Sequence, residues 1–144
     1  MFYQSRDDTR KIFFTTWAKM QDKQPLEPLE QQIANIIALH PEYHSILTHP
    51  DRFRDQDYLP EMGQTNPFLH MGMHIAILEQ ISLDQPLGIR SLYQNKLRQH
   101  GDAHAIEHQM MDCLAEMIWH AQKYQQQPDF LLYLECVKQL NFTE

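Results

Sequence analysis

Three motifs of the chain each begin and end on histidines four residues apart: His40/His44 in HPEYH, His70/His74 in HMGMH and His104/His108 in HAIEH. Random scatter over this length would give about half of one such pair. On a helix, residues four apart share a face, with Cβ atoms about 5–6 Å apart. Two neutral imidazoles held that way can grip one divalent ion. The same two imidazoles in a dry core must otherwise find hydrogen-bond partners, because an unpaired buried polar group is costly.

The pairs differ in context. His40 precedes Pro41, which disfavours helical backbone at His40, so this pair need not share a face. His40 and His44 are therefore the weaker candidates. His70 and His74 lie in NPFLHMGMHIAILEQI, a segment apolar nearly all round, as expected of a buried helix. At 100° per residue His70, His74, Ile77 and Ile81 form one stripe. In HAIEH the apolar face runs through Ile106, Met110, Cys113, Leu114 and Met117. His104 and His108 fall at its edge and Glu107 falls inside it, beside Met111 and Leu114. A carboxylate on an apolar face is paired, bound to a cation, or protonated. Arg90 and Arg98 in the preceding segment are the candidate ion-pair partners. Glu116 and His120 point away and read as a solvated face.

If the helices carrying HMGMH and HAIEH face each other, His70, His74, His104, His108 and Glu107 converge, with His40 and His44 able to complete the set. Ligands projecting inward from facing helices are the usual way a bundle holds a metal. Imidazole and carboxylate suit zinc, iron or manganese, with nickel also compatible. The nearby methionines could suggest copper(I), but core filling accounts for them.

The elements that must position these residues are all helical. Glycine is scarce, with four in the chain, and the eight prolines fall between periodic segments. No segment alternates like a half-buried strand. The periodicity predicts about six helices, over 7–20, 29–39, 67–81, 88–99, 102–124 and 129–140. Asn66-Pro67 is a cap followed by a first-turn proline. Gly101 suits a left-handed helix end and Asp102 the next cap. Residues 49–65 read as a long loop, a length that is often functional. The expected fold is an all-α, single-domain bundle spanning 1–144. A domain of this size has enough core to need no structural metal, so an ion here would serve function.

Composition narrows the partners. The formal charge is −7 with neutral histidines, and the basic residues are scattered, which disfavours nucleic acid. No apolar run approaches the ~20 residues of a membrane span. The amino terminus turns polar at once, so the cytoplasm is the expected compartment. Cys113 and Cys136 then read as two buried thiols in a reducing environment. The aromatic face of the first helix, with Phe13, Phe14 and Trp17, suits either intramolecular packing or a homodimer.

HAIEH resembles the His-x-x-Glu-His pattern of the inverted zinc metallopeptidases. That resemblance implies His104 and His108 as zinc ligands and Glu107 as general base. It covers five residues, and that family's third ligand, a downstream Glu in a larger α/β domain, has no counterpart here. The succession of histidine pairs on helices is similar to the hemerythrin-like and DinB-like bundles, although the His-x-x-x-Glu spacing of hemerythrins is missing at the matching places. The longest resemblance rests on HPEYH (40–44), NPFLHMGMHIAILEQ (66–80), DQPLGI (84–89) and HAIEHQMMDCLAEMIWHAQ (104–122), in that order. It is to an uncharacterised proteobacterial family and implies a small bacterial cytosolic protein without assigning an activity. Three readings follow. The first is a metal-binding helical bundle, one form of which is a metalloenzyme with a small-molecule substrate. The second is a metal-free helical interaction protein with hydrogen-bonded core histidines. The third is a zinc hydrolase using HAIEH.

Overall fold

The computed structural model describes residues 6–56 and 66–141, with side chains from Arg10 onward. Among the described residues there are eight α-helices and no strand. These are α1 (Arg6–Gln21), α2 (Pro28–Ala38), α3 (His44–Thr48), α4 (Pro50–Phe53), α5 (Pro67–Leu83), α6 (Ile89–His100), α7 (Ala103–Lys123) and α8 (Phe130–Lys138). A 3-10 turn, Pro41–Tyr43, precedes α3. The all-α expectation holds, but the count is eight rather than six. The two extra helices are short and proline-started, at Pro41 through its 3-10 turn and at Pro50 directly. Proline in a first helical turn sacrifices no intrahelical hydrogen bond. Part of the expected 49–65 loop is thus helical, while its residues 57–65 lie outside the described ones.

The chain divides into two compact units, Met1–Ile75 and Ala76–Glu144, with the division inside α5. In the first unit α1 turns Phe13 and Phe14 inward, where both rings meet Phe68 at the start of α5, with centroids 6.0 and 5.5 Å away. Each such buried ring contributes about 1.5–3 kcal/mol. The aromatic face of α1 is therefore spent largely inside its own unit. Lys19 on α1 reaches Glu30 on α2 at 2.8 Å, and Glu30 also accepts the Glu27 amide at 2.9 Å. The amide first, and then the Lys19 ammonium, hold the Glu30 carboxyl below the usual carboxylate range. The apolar stripe of α2 is Ile33, Ile36 and Ile37, each essentially inaccessible.

In the second unit α7 is the long central element. Asp102 caps it by accepting from the Ala105 amide. Gly101 ends α6 at φ +87°, a conformation a side chain would strain. Ile106, Met110, Met111, Leu114 and Met117 line its buried face, as the periodicity predicts. Asp129 caps α8 by accepting from the Leu131 and Leu132 amides. Tyr133, fully buried on α8, donates to Gln80 Oε1 at 2.6 Å. Lys96 of α6 donates to the Lys138 and Leu140 carbonyls that the end of α8 leaves open, both at 2.8 Å.

The expected thiols prove to be a disulfide: Cys113 and Cys136 are bonded, tying α7 to α8. Among the described residues no helix is long and apolar enough to cross a membrane. The expectation that the 67–81 segment is buried all round also needs correction, since Leu69 is 61% exposed.

Candidate metal centre

His40 is the best-oriented of the candidates. It continues the α2 stripe, three and four residues beyond Ile37 and Ile36, and its side chain is wholly buried. Its Nδ1 lies 2.8 Å from the Ile36 carbonyl oxygen. A carbonyl only accepts, so Nδ1 carries the proton and the neutral ring keeps its lone pair on Nε2. A backbone carbonyl fixing one ring nitrogen while the other is presented inward is the arrangement found behind metal-ligating histidines.

That Nε2 faces Nδ1 of His74 at 3.5 Å. His74 is buried too, and the two rings stand nearly perpendicular at 87°. Two lone pairs cannot face each other at this distance unsupported, so a proton or a cation must lie between them. The separation exceeds the 2.7–3.2 Å of a good hydrogen bond. It is close to the edge, about 3.4 Å, of a tetrahedron built on zinc–nitrogen bonds of about 2.05 Å. His108 is half-buried on α7, in the second unit.

The His70 ring meets the His40 ring edge-on at 5.0 Å. Tyr43 stacks on His40 at 5.7 Å, and burial raises its phenol above the ordinary range, with the Glu42 charge adding to the effect. His104 lies against His108, centroids 4.1 Å apart, as four-residue spacing on one helix requires. His100 is also four residues from His104, but Gly101 and Asp102 end one helix and start the next between them. His44 donates from Nε2 to the Ile37 carbonyl at 2.9 Å, and its ring lies on Trp17 at 4.5 Å. His40 and His44 thus use their spacing to serve two different neighbours.

Glu107 is buried on the apolar face of α7, as its place on the helical wheel predicts. Its neighbour is neither of the expected arginines. Tyr93 donates its hydroxyl to Glu107 Oε2 at 2.7 Å. Arg90 instead donates to the carbonyls of Ile81 and Ser82, closing the α5–α6 turn, and Arg98 is exposed. Burial raises the Tyr93 phenol well above its ordinary range, and the hydrogen bond to Glu107 and its charge add to that. Tyr93 therefore stays a donor across the working pH range.

Sequence reasoning underrated His40 because it weighed shared helix faces and the effect of Pro41. The signal was present in Ile33, Ile36, Ile37 and His40, which keep one helical period. Tyr93 was missed because only charged partners for Glu107 were sought. A helical protein with a converging histidine set is thus the class that fold and site define. The chain belongs to the family described as Domain of unknown function (DUF1841), which it matches over residues 5–139. No curated protein and no solved structure matches it.

Proposed function

We propose that the protein binds one divalent metal ion, best zinc, through His40 and His74. The observation that carries this is the 3.5 Å approach of His40 Nε2 to His74 Nδ1 with His40 Nδ1 already committed to a carbonyl. Iron and manganese are the other candidate ions. Imidazole ligands suit zinc and iron better than manganese, which favours carboxylate, and the Glu107 carboxylate is engaged by Tyr93. Two imidazole ligands leave a tetrahedral ion positions for water, a further side chain or a small molecule. An ion so held would lower the pKa of bound water toward ~7, the basis of any hydrolytic role. His70 would then orient and screen the ligands.

A second reading has one specific observation in its favour. His74 can carry its proton on Nδ1 and donate it to His40 Nε2, giving a metal-free chain of hydrogen bonds ending at Ile36. Thermal melting separates the two. Zinc at 100 times its dissociation constant should stabilise the native state by about 2.7 kcal/mol, reversibly by chelator. A His74→Ala variant should melt lower and lose that response. If wild type melts identically with zinc, iron(II), manganese(II) and chelator, the hydrogen-bonded core is the correct account.

A further inference from the structure

The Cys113–Cys136 bond joins α7 to α8 within the second unit, apart from any role in the metal reading. Its two sulfurs are unequal. Cys113 is 2% exposed, whereas Cys136 is half-buried. Both line a cavity of about 250 Å³ together with Glu116, Glu135, Met117 and Leu132. Glu116 Oε2 lies 4.0 Å from Cys136 Sγ. A disulfide with one sulfur in a solvent-open cavity is open to exchange, since rates depend on which sulfur a thiolate can reach.

What the bond holds is a short helix. The nine residues of α8 leave Phe130, Leu131 and Leu132 exposed. Tyr133 and Val137 are its buried residues. It is also held by the Tyr133–Gln80 hydrogen bond and the Lys96 contacts to its final carbonyls. Isolated helices this short are marginal in water, so α8 depends on its packing and on such ties.

We propose that Cys113–Cys136 is a reversible thiol–disulfide switch, entered by low-molecular-weight thiols at Cys136 and controlling how firmly α8 is held on α7. In the first step a thiolate RS⁻ attacks Cys136 Sγ. A new S–S bond forms there, the Cys113–Cys136 bond breaks, and Cys113 leaves as thiolate and takes up a proton. A second thiolate attacks the mixed disulfide at the R-group sulfur and releases RSSR and the Cys136 thiol. In sum, one protein disulfide and two RSH give two protein thiols and one RSSR, and the reverse reaction with RSSR reoxidises the pair. Glu116 and Glu135 give the entrance a sign. Two carboxylates at the cavity, that of Glu116 4.0 Å from Cys136 Sγ, favour a cationic thiol over an anionic one, by about tenfold at low salt.

The test uses the whole protein, purified without reductant, treated with cysteamine or with 2-mercaptoethanesulfonate. Each rate is normalised to that thiol's rate on a small neutral disulfide, with acid quench, alkylation and peptide mapping. The expected first adduct is on Cys136, with cysteamine about tenfold faster at low salt and the gap closing at high salt. Glu116→Gln/Glu135→Gln should narrow the gap in the same way. Hydrogen exchange should show faster opening of α8 amides on reduction while α7 keeps its protection. The proposal is overturned by a first adduct on Cys113, by rates indifferent to thiol charge, or by reduction that proceeds only as fast as global unfolding. It is equally overturned by purified protein carrying two free thiols that a small disulfide cannot oxidise.

Discussion

Removing the Tyr93 hydroxyl tests whether Glu107 is held as a buried carboxylate by a phenol. The perturbation is Tyr93→Phe, which deletes one oxygen and keeps the ring. The lost contact is a 2.7 Å hydrogen bond to a carboxylate that is 6% exposed. Hydrogen bonds to charged groups contribute about 1.5–3 kcal/mol net, and the half-buried Tyr93 places this one toward the lower end. A loss near 2 kcal/mol corresponds to a fall in Tm of about 4–8 °C for a chain of this size. Denaturant or thermal unfolding of wild type, Tyr93→Phe, Glu107→Gln and the double variant gives the coupling directly. The expected coupling energy is about 1–2 kcal/mol. The pH dependence supplies a second sign. The folded Tyr93 phenol is raised above its unfolded value near 10, so its contribution is fully present below that pH. It is lost as pH rises through the folded value. Tyr93→Phe should therefore flatten the alkaline limb of the stability curve. Additive single variants, or a Tyr93→Phe cost under about 0.5 kcal/mol, would refute the reasoning.

Three further outcomes follow from the same geometry. Glu30→Gln should flatten the acid limb: the folded carboxyl is depressed, so its stabilisation is present above the unfolded value near 4.5 and lost as pH falls through the folded value, readable in unfolding midpoints between pH 3 and 6. Asp129→Ala removes the acceptor for the Leu131 and Leu132 amides and should cost about 1 kcal/mol in a denaturant titration, with Asp129→Asn nearly neutral. Replacing both Cys113 and Cys136 by Ser opens a loop of sequence separation 23 and should cost about 3 kcal/mol by unfolded-state entropy, measured against the oxidised wild type.

The long helices were legible because their signals are local. The caps at Asn66, Asp102 and Asp129 and the positive-φ Gly101 lie where turn chemistry puts them. The face of α7 followed from its period, including the inward Glu107. The helices α3 and α4 were not legible. At five and four residues they are too short to show a period, and they stand on proline starts and on tertiary contacts such as the burial of Leu47. Within the candidate site, histidine spacing drew attention to the segments that carry His40 and His74. It could not tell which imidazole would present a lone pair inward. That depends on the Ile36 carbonyl fixing the His40 tautomer, a backbone detail no residue pattern carries. The disulfide was missed for a different reason. Two cysteines are too few to read as a framework, and pairing requires knowing that α7 and α8 lie side by side.

The central claim is that His40 and His74 hold a divalent ion. Elemental analysis of protein purified without nickel affinity tests it most directly, run beside His40→Ala and His74→Ala. The account predicts close to one equivalent of zinc or iron per chain in wild type, falling at least tenfold in either variant while the helical signal is retained. Substoichiometric metal in wild type, even after incubation with excess zinc, or full occupancy in both variants, would contradict it.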